Sequence, residues 1–63
     1  MENETLLKED FEIEYAKNKG TIVEARQRGL KIFAGKITGF SNDHVAIEGK
    51  KLLRDANEFY GIE

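Results

Sequence analysis

Six glycines, Gly20, Gly29, Gly35, Gly39, Gly49 and Gly61, punctuate a chain of 63 residues that contains no proline and no cysteine. A glycine inside a helix costs about 1 kcal/mol relative to alanine, so glycines at these short intervals leave little room for two or three long helices. They suit several short strands joined by tight turns. A folded chain of this length buries only about 60% of the surface its unfolded form exposes, so the core must be small. Pairing of exposed strand edges between copies would add the missing burial, which favours a homo-oligomer over a monomer. No repeat, low-complexity tract or linker composition interrupts the sequence, and residues 1–63 are read as one domain, with 1–9 forming a helical turn or a flexible arm.

The clearest strand is His44-Val45-Ala46-Ile47-Glu48, in which Val45 and Ile47 face one way and their neighbours the other. Leu30 to Phe40 alternates imperfectly: Leu30, Ile32 and Ala34 share one parity, Phe33, Gly35 and Ile37 the other. A bulge or bend around Ala34-Gly35 would re-register such a strand and curl a small sheet toward a barrel. Thr21 to Arg28 precedes it, with Arg28-Gly29 as a tight connection, and Ser41-Asn42-Asp43 forms the next turn. Lys51 to Ile62 is expected as strand, turn, strand, in preference to a helix with Leu52, Leu53, Ala56, Phe59 and Tyr60 on one stripe. The N-terminal segment stays open between two structures. Phe11, Ile13 and Tyr15 alternate with acids as a strand would, closing through Lys17-Asn18-Lys19-Gly20 as a hairpin; Leu7, Phe11 and Tyr15 also fit a helix over residues 3–16. The expected core is Phe11, Ile13, Val23, Ile32, Phe33, Ile37, Phe40, Val45, Ile47, Leu53, Phe59 and Ile62.

Catalysis finds little support in the residue types. His44 is the only histidine, Ser41 has no second histidine to complete a relay, and no glycine cluster precedes a lysine and a helix start as a phosphate cradle requires. The absence of cysteine removes disulfides, thiolate zinc sites and thiol nucleophiles. We therefore expect no enzyme and no cofactor. No apolar run approaches the roughly 18 residues that span a bilayer, and the acidic N-terminus lacks the order of a signal peptide, so a cytoplasmic protein with no membrane partner is expected.

Charge is unevenly distributed although its sum is only −2. Residues 1–16 carry −5, residues 17–36 carry +5 and the remainder −2. On an extended strand, Glu24, Arg26 and Arg28 face one way, and Lys31 and Lys36 follow on the next strand. With Phe33, Phe40 and Tyr60 nearby, such a basic sheet could follow the phosphates of single-stranded RNA or DNA and stack its bases. The alternatives are that the aromatics are core, and that Arg26 and Arg28 pair with Glu12 and Glu14 across a hairpin.

The stretch "IVEARQRGLKIFAGKITGFSNDHVAIEG", residues 22–49, resembles the first signature motif of Sm-like proteins, which include the bacterial Sm-like RNA chaperone. Gly29, Gly35, Ile37, Gly39, Phe40, Val45 and Ile47 occupy the matching positions, and Ser41 stands where the family has an aspartate. The second family motif is not recognisable in "KKLLRDANEFYGIE", which looks like the closing strands of SH3-like barrels. The resemblance implies a small barrel and uridine-type RNA recognition, with Ser41, Asn42 and Asp43 the nearest equivalents of the family's RNA contacts. The expectation is thus a mainly β, five-stranded antiparallel curled sheet or barrel of Sm-like or SH3-like type, with or without a short N-terminal helix. It would bind single-stranded nucleic acid through Arg26, Arg28, Lys31, Lys36, Ser41, Asn42 and Asp43, or else act as a protein-interaction adaptor through an edge strand or groove.

Overall fold

The computed structural model describes residues 4–62 of the chain. Among these residues it forms six strands and one helix: β1 (Glu4–Leu6), α1 (Asp10–Lys19), β2 (Ile22–Gln27), β3 (Leu30–Phe40), β4 (His44–Ile47), β5 (Lys50–Leu53) and β6 (Glu58–Ile62). The strands make one antiparallel sheet in the order β1-β6-β2-β3-β4-β5. The mainly β expectation holds, with one strand more than the five expected. The edge strands β1 and β5 are not paired with each other, so the sheet does not close into a barrel.

Residues 4–6 are the extra strand, paired to β6 through Glu4–Ile62, Thr5–Gly61 and Leu6–Tyr60. The helical turn expected within residues 1–9 is therefore absent from 4–9, and the part of that expectation falling on residues 1–3 lies outside the described residues. The helix comes next, at Asp10–Lys19, where the alternating pattern also allowed a strand. Its ends explain the outcome. The Glu12 carboxylate accepts the backbone N–H groups of Lys8 and Glu9 at 3.0 and 2.9 Å, which satisfies donors that the first turn leaves open. At the other end Gly20 adopts the left-handed conformation, φ 76°, and Thr21 N donates back to the Ala16 carbonyl. Lys17 to Gly20 is thus a helix terminus and not the turn of a hairpin.

Two hairpins close through dipeptides that combine one residue with glycine. Arg28 and Gly29 have φ of 54° and 79°, Glu48 and Gly49 of 51° and 83°. Positive φ at both central positions is the condition for the I′ turn, whose twist matches that of the flanking strands.

β3 is the strand that joins the two halves of the sheet. Its first part, Leu30 to Lys36, pairs with β2, and its last part, Ile37 to Phe40, pairs with β4. The register skips Ile32 on the β2 side and Thr38 on the β4 side, so each is an extra residue on β3. Ala34 and Gly35, where a bulge or bend was expected, are instead in regular register opposite Glu24 and Val23. The Thr38 hydroxyl secures the second bulge: it donates to the Ala46 carbonyl and accepts from Gly49 N.

Those two irregularities decide which apolar residues meet. The buried core gathers Leu7, Ile13, Ala16, Val23, Ala25, Ile37, Val45, Ile47, Leu52 and Phe59, with Phe33 and Phe40 packed against it. Three expected core members point elsewhere: Phe11 is 70% exposed, Leu53 53% and Ile32 45%. Ile32 is the bulged residue; Leu53 lies opposite His44 while Leu52 faces buried Val45; Phe11 is on the helix face away from Ile13 and Ala16. Ile62 is half-buried. No helix is long and apolar enough to cross a membrane, among the described residues.

Truncation of Ile47, which is fully buried, to alanine is expected to cost about 3 kcal/mol, while Ile32→Ala costs about 0.5 kcal/mol or less, as urea unfolding of both variants will measure. Glu12 supports a pH prediction. Its hydrogen bonds from Glu9 N and Lys8 N hold its pKa below the ordinary carboxylate value. The stability it adds is present above that ordinary value and lost as pH falls through the lowered one. Glu12→Ala should accordingly lower the melting temperature by about 5 °C at neutral pH, a difference that shrinks to nothing in strong acid.

Candidate nucleic-acid interface

Arg26, on β2, is committed to the fold. Its Nε donates to Glu24 and its Nη2 to Glu4, both at 2.7 Å, and the guanidinium lies 4.1 Å from the centroid of the Tyr60 ring. One side chain thereby spans β2, β6 and β1, and its carboxylate partners are not the Glu12 and Glu14 expected from a hairpin. The hydrogen bond from Arg26 is the chief cause that holds the Glu4 pKa below its ordinary value, and the two carboxylates raise that of Arg26. Tyr60, covered on one face by this guanidinium, is not an open stacking platform.

The other basic residues are placed differently. Arg28 sits in the β2–β3 turn, Lys31 opposite Arg26 at the start of β3, and Lys36 opposite Ile22 further along the same strand. All three are exposed, and no carboxylate lies within ion-pair distance of them among the described residues. Lys36 is five residues beyond Lys31 on the same strand, a span of about 16 Å at the usual rise. The backbone N–H of Lys36 donates to Glu48 Oε2 at 2.8 Å, which brings that carboxylate over Gly35. A Cβ at position 35 would collide with Glu48, so this glycine is needed for a close approach.

Phe33 and Phe40 belong to the rim of the core, and Lys50 lies 5.3 Å from the Phe33 ring centroid. None of the three aromatics expected beside the basic strands therefore offers a fully open ring. The exposed aromatics are Phe11 and Tyr15, one turn apart on α1, where they border an apolar groove of about 420 Å³ with Thr5, Leu7 and Glu12. Helical i, i+4 spacing was the signal for that pair.

Ser41, Asn42 and Asp43 form the loop between β3 and β4. The Ser41 hydroxyl oxygen accepts the N–H groups of Asp43 and His44, at 3.3 and 3.2 Å, which sets the turn. Arg54 anchors this loop, a role with no signal in its local sequence. Its Nη1 donates to Asp10 and to the Ser41 carbonyl, its Nη2 to the Lys8 carbonyl, and its backbone N to the Asp43 carbonyl, all within 2.9 Å. The loop is thus held against the start of α1 and the 54–57 connection. Asn42 faces a cleft of about 410 Å³ that Lys8, Asp10, Arg54, Asp55 and Asn57 also line.

The structure therefore separates the expected site residues into three groups. Arg28, Lys31 and Lys36 share the β2–β3 hairpin; Arg26 is held by its own ion pairs; Ser41 to Asp43 occupy a braced loop at β3's other end. Among the described residues no three His, Asp or Glu side chains converge as a metal site. In comparison with known proteins, the chain matches no family model, no curated relative and no solved structure.

Proposed function

We propose that the chain is a non-catalytic module that binds single-stranded nucleic acid, RNA foremost, through the phosphates. The observation that carries this is an asymmetry in how charges are used. Three acids of the N-terminal segment are engaged by the chain itself: Glu4 by Arg26, Asp10 by Arg54 and Glu12 by the helix start. Arg28, Lys31 and Lys36 remain exposed and unpaired on one hairpin. A row of unpartnered cations releases counterions when it meets a polyanion, which is the source of affinity in such complexes. Arg26 contributes by holding β1, β6 and β2 together and not by touching phosphate. Kinship with Sm-like or SH3-like barrels remains part of the proposal, supported by the single β3 strand shared between two half-sheets around one core. The exposed edges of β1 and β5, only 3 and 4 residues long, are where copies would pair into a homo-oligomer.

One observation favours the protein-adaptor alternative: Phe11 and Tyr15, 70% and 65% exposed, flank the apolar groove beside β1. A titration separates the two. With three phosphate contacts, affinity for a labelled single-stranded RNA should fall about twentyfold between about 50 and 200 mM salt. Alanine at Arg28, Lys31 or Lys36 should each reduce the logarithmic salt slope by about 0.7, while Arg26→Gln leaves the slope unchanged and lowers thermal stability. Absence of binding at low salt overturns the nucleic-acid function and leaves the adaptor.

A further inference from the structure

Six large apolar residues are exposed among the described residues, and four of them fall into two patches that differ in charge. Phe11 and Tyr15 border the groove of about 420 Å³ beside β1, with room for two aliphatic side chains. Leu30, 71% exposed, and Ile32 stand at the start of β3. Acids frame the groove: residues 8–16 carry four of them against Lys8 alone. Glu12 lines it, and Glu14 is exposed with no ion-pair partner among the described residues. Lys17 and Lys19 come only in the last turn of the helix, where Lys19 lies 5.6 Å from the Tyr15 ring centroid. Cations frame the other patch. Arg28 and Lys31 are exposed and unpaired, and the sequence has no acid from Gln27 to Lys36.

Each patch also offers a strand edge. β1 pairs only with β6, and β3 has β2 on one side but meets β4 only from Ile37 onward, so the other side of Leu30 to Phe33 faces no strand among the described residues. An extended segment laid beside β1 would make backbone hydrogen bonds and point alternate side chains toward the groove. Leu30 and Ile32 do not line the groove of their own chain, and β6 and β2 lie between β1 and β3 in the sheet. The two patches therefore meet only between copies. Ile22 and Leu53, the other exposed apolar residues, stand singly on β2 and β5, so Leu30 and Ile32 are the apolar pair that unpaired cations flank.

We infer that the start of β3 in one copy docks beside β1 of the next, with Leu30 and Ile32 in the groove bordered by Phe11 and Tyr15, and Arg28 and Lys31 against Glu12 and Glu14. The contact uses different patches on the two copies, so it runs head to tail into a ring or a chain and does not stop at a symmetric dimer. It goes beyond the nucleic-acid reading and is tested with no nucleic acid present. Sedimentation equilibrium of the unaltered protein should show an average mass that rises steadily between about 0.05 and 1 mM, the range of a small, weak interface. High salt should make that rise shallower, because the facing charges are exposed. Phe11→Ser and Leu30→Ser each remove one half of the contact at an exposed position, so each variant alone should stay monomeric. Mixed in equal amounts they should form a heterodimer and nothing larger, since one keeps the hairpin and the other the groove. Dilution of the unaltered protein should move amide resonances of Phe11 to Tyr15 and of Leu30 to Ile32 together, a readout independent of any variant's folding. The docking is overturned by an unaltered protein that stays monomeric at about 1 mM, by variants that self-associate as the parent does, by a mixture that gives no heterodimer, or by dilution shifts confined to other residues.

Discussion

Strand β3 has to serve two neighbours that lie in different directions, and the rest of the structure follows from how it does so. Over its 11 residues it gives its first part to β2 and its last part to β4, with an extra residue inserted at Ile32 and another at Thr38. A bulge raises local twist and shifts the parity of everything beyond it. Between these two points Phe33, Gly35 and Ile37 turn inward together. Val23 and Ala25 from one half-sheet then share a core with Val45, Ile47 and Leu52 from the other. The same bend brings the β4–β5 turn against the middle of β3, where Glu48 and Lys36 exchange two hydrogen bonds, one through the backbone and one through the carboxylate. Only glycine at position 35 leaves room for that contact.

Much of this was legible in the residues where local chemistry and tertiary packing ask for the same thing. Val45 and Ile47 alternate because β4 is half-buried, and Arg28-Gly29 is a turn because both positions need positive φ. The strand, turn and strand after Gly49 are found as expected. Where two periodicities compete, pattern alone does not decide. Phe11, Ile13 and Tyr15 alternate like a strand, but a carboxylate at Glu12 placed to accept two N–H groups and a glycine able to terminate at position 20 favour the helix. The helix buries Ile13 and Ala16 and leaves both aromatics outside. Leu52 and Leu53 could not be ordered without the register of β5 on β4.

The candidate site was legible as a segment and not as a set of roles. A run of +5 over residues 17–36 marks the basic region, yet sequence distance does not say which cations find carboxylates. Glu4 reaches Arg26 from 22 residues away because β6 lies between β1 and β2. Arg54 joins a loop 13 residues before it and the helix start 44 residues before it. Both arginines look like surface charges in the sequence, and both are structural clamps. Such pairs contribute modestly to stability when exposed, but each also ties together elements that are distant in the sequence.

This division of labour has a consequence for recognition. If all of the basic segment were free, a chain of net charge −2 would carry opposing patches of similar strength, and its acidic segment would repel the same polyanion that its basic one attracts. Folding removes part of that conflict. Glu4 and Asp10 are neutralised locally by arginines, and Glu12 is turned onto the backbone of the helix start, so the repulsive field is reduced where the chain is most acidic. The cost is Arg26 and Arg54, which leave the pool of available cations. Of the other positive groups, Arg28, Lys31, Lys36, Lys50 and Lys51 are carried by β3, its leading turn and β5. An anionic strand lying along β3 would therefore meet unpaired charge at the hairpin. That placement follows from one physical fact, that β3 is long and twice bulged, with glycine at position 35 where Glu48 comes close.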